Sequence, residues 1–209
     1  MRFVLFTEGH TEHKVVGPFL KRWLDPRLTQ PVGVQTVRFD GWGELVREAP
    51  KRAHFHLSGP KNEGIIAVVG LLDLYGPQKS GFYPRGVNTA TERRRCAIKH
   101  IESEVNHPRF RMFFAVHEVE AWLLSQPEIL PAAIRKELPK PKPEEVNFNE
   151  PPAALLDRLY ESRLKCRYKK VTDGTNLFGQ LSPEEAYAAC PALSEMLDAL
   201  LMLAREAGL

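Results

Sequence analysis

Phe3-Val4-Leu5-Phe6-Thr7-Glu8-Gly9-His10-Thr11-Glu12 is the stretch whose reading decides the fold. The unbroken apolar run over residues 3–6 has the character of a strand covered on both faces. It ends in a carboxylate, turns at a glycine, and meets a second carboxylate as helical spacing begins. Val15, Val16, Phe19, Leu20, Trp23 and Leu24 then fall on one apolar stripe. Pro18 inside that stripe predicts a kinked or split helix. The segment closes at Asp25-Pro26. The stretch thus predicts the first strand, first turn and first helix of an α/β domain, and its acids the start of a divalent-metal site.

Working outward, residues 32–39 alternate loosely, are rich in β-branched side chains and read as a second strand, at an edge. Gly41-Trp42-Gly43 reads as a turn. The helix after it carries Leu45, Val46, Ala49 and Ala53 and is interrupted by Pro50. Ser58-Gly59-Pro60 reads as a loop. Ile65-Ile66-Ala67-Val68-Val69-Gly70-Leu71-Leu72 is the strongest strand signal and has the continuous apolarity of a central parallel strand. It ends at Asp73-Leu74-Tyr75-Gly76, and a Gly/Pro-rich loop runs to about Val87. Thr89-Ala90-Thr91-Glu92 has capping-box spacing, with Ala97, Ile101 and Val105 on the buried face of the helix behind it. Residues 111–116 form another apolar strand, which ends in His117-Glu118-Val119-Glu120 and leads into a helical Ala121-Trp122-Leu123-Leu124.

Strand and helix alternate through this region, which predicts a mostly parallel sheet with helices on both faces. After Pro127 the character changes. Pro131, Pro139, Pro141 and Pro143 punctuate a charged linker. Residues 153–164 and 183–207 read as helices, joined by a polar connection over 165–174. The expected division is an α/β domain over residues 1–126 and a mainly helical extension over 127–209, packed on it.

The 209 residues are 43% hydrophobic and 26% charged, enough for a sizeable core. A net charge of +3 with a pI near 8.8 permits nucleic-acid binding without arguing for it. Cys96, Cys166 and Cys190 are far apart and include no CxxC pair, so neither a disulfide framework nor a cysteine zinc site is expected. His10, His13, His117 and the pair His54 and His56 match no zinc spacing. The apolar run before Glu8 is too short for a signal peptide, and no run approaches membrane-spanning length. The cytoplasm is the expected location, with no membrane partner.

Chemistry concentrates where strands end. Glu8, Asp73, and the pair Glu118 and Glu120 each follow a strand, and ligands of open parallel sheets bind outside the carboxyl ends of the strands. Acids delivered there by separate strands make one negative pocket, which a hard divalent cation neutralises through oxygen ligands. Glu12 in the first helical turn is favoured by the helix dipole. Glu118 and Glu120 share a side if extended and splay apart if a helix has begun. Any one match alone fits a surface turn or a solvated helix start. Their joint placement predicts the shared site. Arg93, Arg94 and Arg95 read as a solvated helix face, or as a phosphate-backbone contact. Trp42 and Trp122 read as packing residues.

Glu8-Gly9-x-x-Glu12 after a first strand, Leu71-Leu72-Asp73-Leu74-Tyr75-Gly76 at the end of a hydrophobic one, and Glu118-x-Glu120 together resemble a Toprim domain. The likeness is to Toprim nucleases of the OLD (overcoming lysogenization defect) type and to small bacterial Toprim-like proteins, and it covers residues 1–126. It extends to Tyr168-Lys169-Lys170 as the late basic element. It implies a Toprim/Rossmann-like α/β fold and Mg²⁺- or Mn²⁺-dependent hydrolysis of DNA or RNA. It also implies nucleic acid and an AAA- or ABC-type ATPase as partners, in antiphage defence, with a homodimer as one arrangement. Glu8 then matches an acid/base or metal residue, Glu12 and Asp73 match metal ligands, Glu120 with Glu118 matches the second-site acid, and Lys170 or Lys169 matches a lysine that steadies the scissile phosphate. The chain departs from the pattern at Tyr75, where Toprim domains usually carry the second acid of Asp-x-Asp. A phenol is a poor Mg²⁺ ligand, so a non-catalytic interaction subunit that binds an ATPase or nucleic acid is the alternative expectation. No Walker-type Gly-rich Lys loop supports nucleotide binding.

Overall fold

The computed structural model describes residues 1–59, 62–76, 82–83, 86–140, 142–145 and 150–209. Pro60 of the expected 58–60 loop, much of the expected loop after Gly76, and Pro141 of the expected linker lie outside the described residues.

Four strands form one parallel sheet: β1 (Arg2–Thr7), β2 (Gly33–Arg38), β3 (Ile65–Asp73) and β4 (Phe110–Ala115), in the order β2-β1-β3-β4. The two runs without a polar break, β1 and β3, are the central strands. β2, with its looser alternation, is at an edge as expected. The register pairs Thr7 with Arg38 and Leu71, and Asp73 with Ala115, so the strands finish together along one edge.

Alternation of side chains sorts the sheet into two faces. Phe3 and Leu5 of β1 and Val69 and Leu71 of β3 pack with helix α1 (His10–Leu24) and with Trp122, Phe178, Leu197 and Leu200 from later in the chain. Val4, Phe6, Val68 and Leu72 face the other way, onto α2 (Trp42–Ser58) and α3 (Ala90–Val105). The chain is therefore an α/β structure with helices on both faces of a parallel sheet. Gly17 permits the close approach of α1 to the edge strand: a Cβ there would stand 3.2 Å from Thr36 Cγ2.

Neither internal proline breaks its helix. Pro18 and Lys14, four residues before it, are both exposed, and α1 runs unbroken through them. Around Pro50, the buried stripe Leu45, Ala49, Ala53 and Leu57 holds both halves of α2 to the sheet. Burying such side chains contributes about 1.5–3 kcal/mol for each large one, which outweighs a proline penalty of about 3 kcal/mol. At α3 the capping box is present, Thr89 accepting from the Glu92 amide and Glu92 reaching back to the Thr89 amide.

The C-terminal part departs further from expectation. Residues 119–125 are helical as expected, as a 3-10 helix, while the linker holds short turns, including α4 (Ala132–Arg135). After α5 (Pro152–Leu164), helix α6 (Thr172–Gln180) begins inside the segment expected to be a polar connection. Its stripe is short, with only Leu177 and Phe178 as large buried apolar residues, too weak a period to stand out. The expected helix over 183–207 is two, α7 (Pro183–Ala189) and α8 (Pro191–Glu206), since Pro191 starts a new helix at N1. No helix among the described residues is long and apolar enough to cross a membrane.

Trp122 joins these parts. It is 1% exposed, with its ring 5.5 Å from Phe19 of α1 and 6.2 Å from Phe178 of α6. Trp122→Ala is expected to lower unfolding free energy by about 3–5 kcal/mol, measured by urea denaturation.

Candidate metal centre at the carboxyl edge of the sheet

Glu8 lies one residue beyond β1, and its carboxylate turns toward the neighbouring strand. Glu8 Oε1 accepts a hydrogen bond from the Asp73 amide at 2.7 Å. The end of one strand thus holds the end of the next, with the two acidic side chains side by side. Glu8 also accepts from the Trp42 backbone. Trp42 is the first residue of α2 and not the middle of a turn; Gly41 ahead of it takes φ 91°, which glycine tolerates. Glu8 therefore sits at a helix N-terminus, where a negative charge is favoured.

Gly9 caps α1 in an extended conformation, and Glu12 occupies the first turn behind it. The Glu12 carboxylate folds back over the cap: a Cβ on residue 9 would meet Glu12 Oε2 at 2.3 Å. The glycine between the two acids thus clears space for the second. Glu12 is buried.

Glu118 is still extended, and the 3-10 helix starts at Val119. A helix has therefore begun between Glu118 and Glu120, yet the two acids do not diverge. Lys170 holds both, its Nζ lying 3.3 Å from Glu118 Oε1 and 3.5 Å from Glu120 Oε1. The first contact is a hydrogen bond; the second is an ion pair without hydrogen-bond geometry. Glu118 Oε2 accepts from the Ala153 amide at 2.9 Å, at the start of α5. Glu120 is 0% exposed, and neither of its oxygens has a hydrogen-bond partner among the described residues.

The segment that carries Lys170 is pinned from both sides. The Tyr168 amide donates to Asp157 Oδ1 of α5 at 3.1 Å, and the Lys169 amide donates to Asp173 Oδ2 of α6 at 2.7 Å. Tyr168 is buried with its ring 5.4 Å from Tyr160. Of the two candidate lysines, Lys170 is the one that reaches the acids among the described residues.

Proton affinities record the crowding. Burial pushes Glu8 up to about 7, with Glu12 adding to the rise and the hydrogen bond from Asp73 opposing it. Burial likewise pushes Glu120 up to about 7 against the pull of Lys170. Asp73 is raised well above the usual carboxylate range by burial and then by Glu8, Glu12, Glu120 and Glu118. The other four acids of the sequence pattern therefore all act on Asp73. Burial alone would draw Lys170 down, but Glu120, Glu118 and Asp73 outweigh it and hold the ammonium charged.

The donors are hard oxygens, and among the described residues Asp73 Oδ1 and both Glu120 oxygens are buried without hydrogen-bond partners. That chemistry fits Mg²⁺ or Mn²⁺. The ligand set is not closed as it stands: among the described residues, no three His, Cys, Asp or Glu side chains are grouped to hold an ion. Tyr75, at the position of the usual second acid, donates its amide to the His117 carbonyl at 3.3 Å, which ties the end of β3 to the turn before Glu118. Sequence reasoning missed the Ala153 and Trp42 amides, which have no side-chain signature. Tyr168, named in the sequence only as part of the late basic element, has its phenol raised by burial and by nearby Glu120.

A family model described as a domain of unknown function, DUF4276, matches residues 7–201. A search of curated proteins gave no match. Among solved structures, the chain is similar to the C-terminal region of the Xanthomonas campestris pv. campestris OLD protein, with 21% identity over 98% of this chain and 92% of that one and a TM-score of 0.45. It is also similar to the C-terminal region of the Burkholderia pseudomallei OLD protein, with 18% identity over 98% and 97% of the two chains and a TM-score of 0.47.

The acids set a pH dependence. Glu8 and Glu120 titrate near 7 when folded, against an ordinary 4.5 when unfolded. Stability they confer is fully present below the unfolded value and lost as pH rises through about 7. The Tm of metal-free protein should fall between pH 5 and 8, and Glu120→Gln should flatten that fall. Differential scanning fluorimetry across this range reads both.

Proposed function

The chain belongs to the DUF4276 family, and from that premise and the geometry of the acidic edge we propose that it is a Mg²⁺- or Mn²⁺-dependent Toprim-type nuclease that hydrolyses phosphodiester bonds of DNA or RNA. The observation that carries the reading is the Glu8 carboxylate bonded to the Asp73 amide, with Glu12, Glu118 and Glu120 all acting on the Asp73 carboxyl. Acids from β1, α1, β3 and the segment after β4 are gathered at one strand edge. Buried carboxylates that raise one another are a standing demand for a cation.

Glu8, Glu12 and Asp73 would hold the ion. When bound, it supplies Lewis-acid polarisation of a phosphoryl oxygen and a more acidic water. The remaining work belongs to side chains. Glu8, poised near neutrality, holds or releases a proton at its carboxyl, as a general base at working pH must. Lys170 keeps its proton and offers an ammonium to the non-bridging or leaving oxygen of the substrate. A cytoplasmic setting, a role in antiphage defence and an ATPase partner of the AAA or ABC type belong to the same proposal.

A second reading, a non-catalytic subunit that binds an ATPase or nucleic acid through this fold, is favoured by Tyr75 and by the open ligand set. It predicts no calorimetric Mg²⁺ binding and partner binding indifferent to Asp73→Asn.

The deciding experiment incubates pure protein, alone and with any neighbouring ATPase, with DNA and RNA in Mg²⁺ or Mn²⁺. Metal-dependent cleavage is expected, and Glu8→Gln should slow it about 100- to 10,000-fold while leaving the protein folded by circular dichroism. No cleavage under any of these conditions contradicts the nuclease reading.

A further inference from the structure

Helices α1 and α6 both start at the acidic edge and lead away from it. α1 begins at His10, two residues after Glu8, and α6 begins at Thr172, two residues after Lys170. They lie side by side. At the near end, a Cβ on Gly174 would stand 3.6 Å from Thr11 Cγ2. Further along, the Phe178 ring packs edge-on to Phe19 with centroids 6.4 Å apart. At the far end, Arg22 donates to the Phe178 and Gly179 carbonyls. Over this seam runs an open groove of about 280 Å³, lined by Lys14, Pro18 and Arg22 of α1 and by Thr175, Phe178 and Gly179 of α6.

We propose that the groove holds the single strand of DNA or RNA that leads away from the scissile phosphate, with Lys14 and Arg22 on its backbone. This rests on the nuclease reading above and deepens it by giving the substrate a path and a strandedness.

Charge, width and continuity support the assignment. Lys14 and Arg22 are exposed cations, and no carboxylate lines the groove among the described residues. Lys14 forms no salt bridge among the described residues. Glu184, the acid that acts on Arg22, is itself bound to Arg27 at 3.0 Å. A guanidinium has five donors, and the two that Arg22 gives to α6 hold its charge at the groove. From residue 14 to residue 22 the helix rises about 12 Å, the span of three to four nucleotides at about 3.4 Å each. Helices in contact have axes about 8–10 Å apart, so the seam between them admits one extended strand and not a duplex. Pro18 and Phe178 give its floor the apolar surface on which a sugar or base can lie. Lys169, exposed just ahead of α6, continues the positive charge back toward the acidic edge.

The test reads binding without turnover. Fluorescence anisotropy of a labelled twelve-nucleotide single strand is followed with the protein in EDTA, and the matching duplex is run beside it. Lys14→Glu and Thr175→Glu, which place a carboxylate on either wall, should each raise the single-strand Kd about 10-fold. Lys51→Glu, an equal charge change at an exposed site on α2, should raise it far less. Lys14→Gln should lower the slope of log Kd against log salt by about 0.7, and it stands in if Lys14→Glu fails to fold by circular dichroism. Single-strand binding that ignores the groove variants, or falls equally with Lys51→Glu, overturns the proposal. So does a duplex that binds more tightly through the same residues, or a polyglutamate peptide that displaces the strand as well as unlabelled strand does. Cleavage is scored separately. A protein that cuts while its binding ignores the groove variants sinks the groove alone, and one that binds through the groove without cutting sinks the nuclease reading alone.

Discussion

Repulsion among buried carboxylates is the constraint on which the rest of the structure depends. Glu8, Glu12, Glu118 and Glu120 all act on the Asp73 carboxyl at the carboxyl edge of the sheet, where Glu12 and Glu120 are buried and Glu8, Asp73 and Glu118 half-buried. Several features are explained as ways of tolerating that crowding. Glu8 is held by an amide of β3 and by the N-terminus of α2. Glu12 lies in the first turn of α1, and Gly9 gives its carboxylate room. Glu118 accepts an amide at the start of α5, and with Glu120 it shares one ammonium. Helix starts and a lysine supply the compensating positive charge.

The helical C-terminal part thereby acquires a chemical role besides packing. Its apolar side chains complete one face of the sheet, with Phe178, Leu197 and Leu200 in the same cluster as Phe3 and Leu5. Arg22 of α1 donates to the Phe178 and Gly179 carbonyls at the end of α6, which fixes that helix against the first one. Between α5 and α6 the chain makes the turn that delivers Lys170. The lysine is more than forty residues from Glu118 and Glu120 in sequence, and only the folded extension brings it to them. Loss of packing at Trp122 or Phe178 would therefore reach the site through the lysine as well as through the core.

What was legible in the sequence follows from where the signal was strong. The apolar runs of β1 and β3 marked central parallel strands because both faces are covered, and acids at their ends implied one edge. The capping box at Thr89 placed α3. The pair Glu118 and Glu120 was ambiguous on periodicity alone: a helix does start between them, and they stay together because Lys170 holds both, a tertiary contact that no local pattern records. Pro50 misled, and Pro18 did not split its helix, because the local penalty was visible and the packing that offsets it was not. Helix α6 was hidden by its short, polar sequence. The amides of Ala153 and Trp42 could not be read at all, since a backbone donor looks the same at every residue.

The most direct measurement is a crystal structure of the protein grown with Mn²⁺, with anomalous diffraction recorded at the manganese edge. The account predicts an anomalous peak bounded by Glu8, Glu12 and Asp73. No peak at that edge, or a peak held by other side chains, would contradict it.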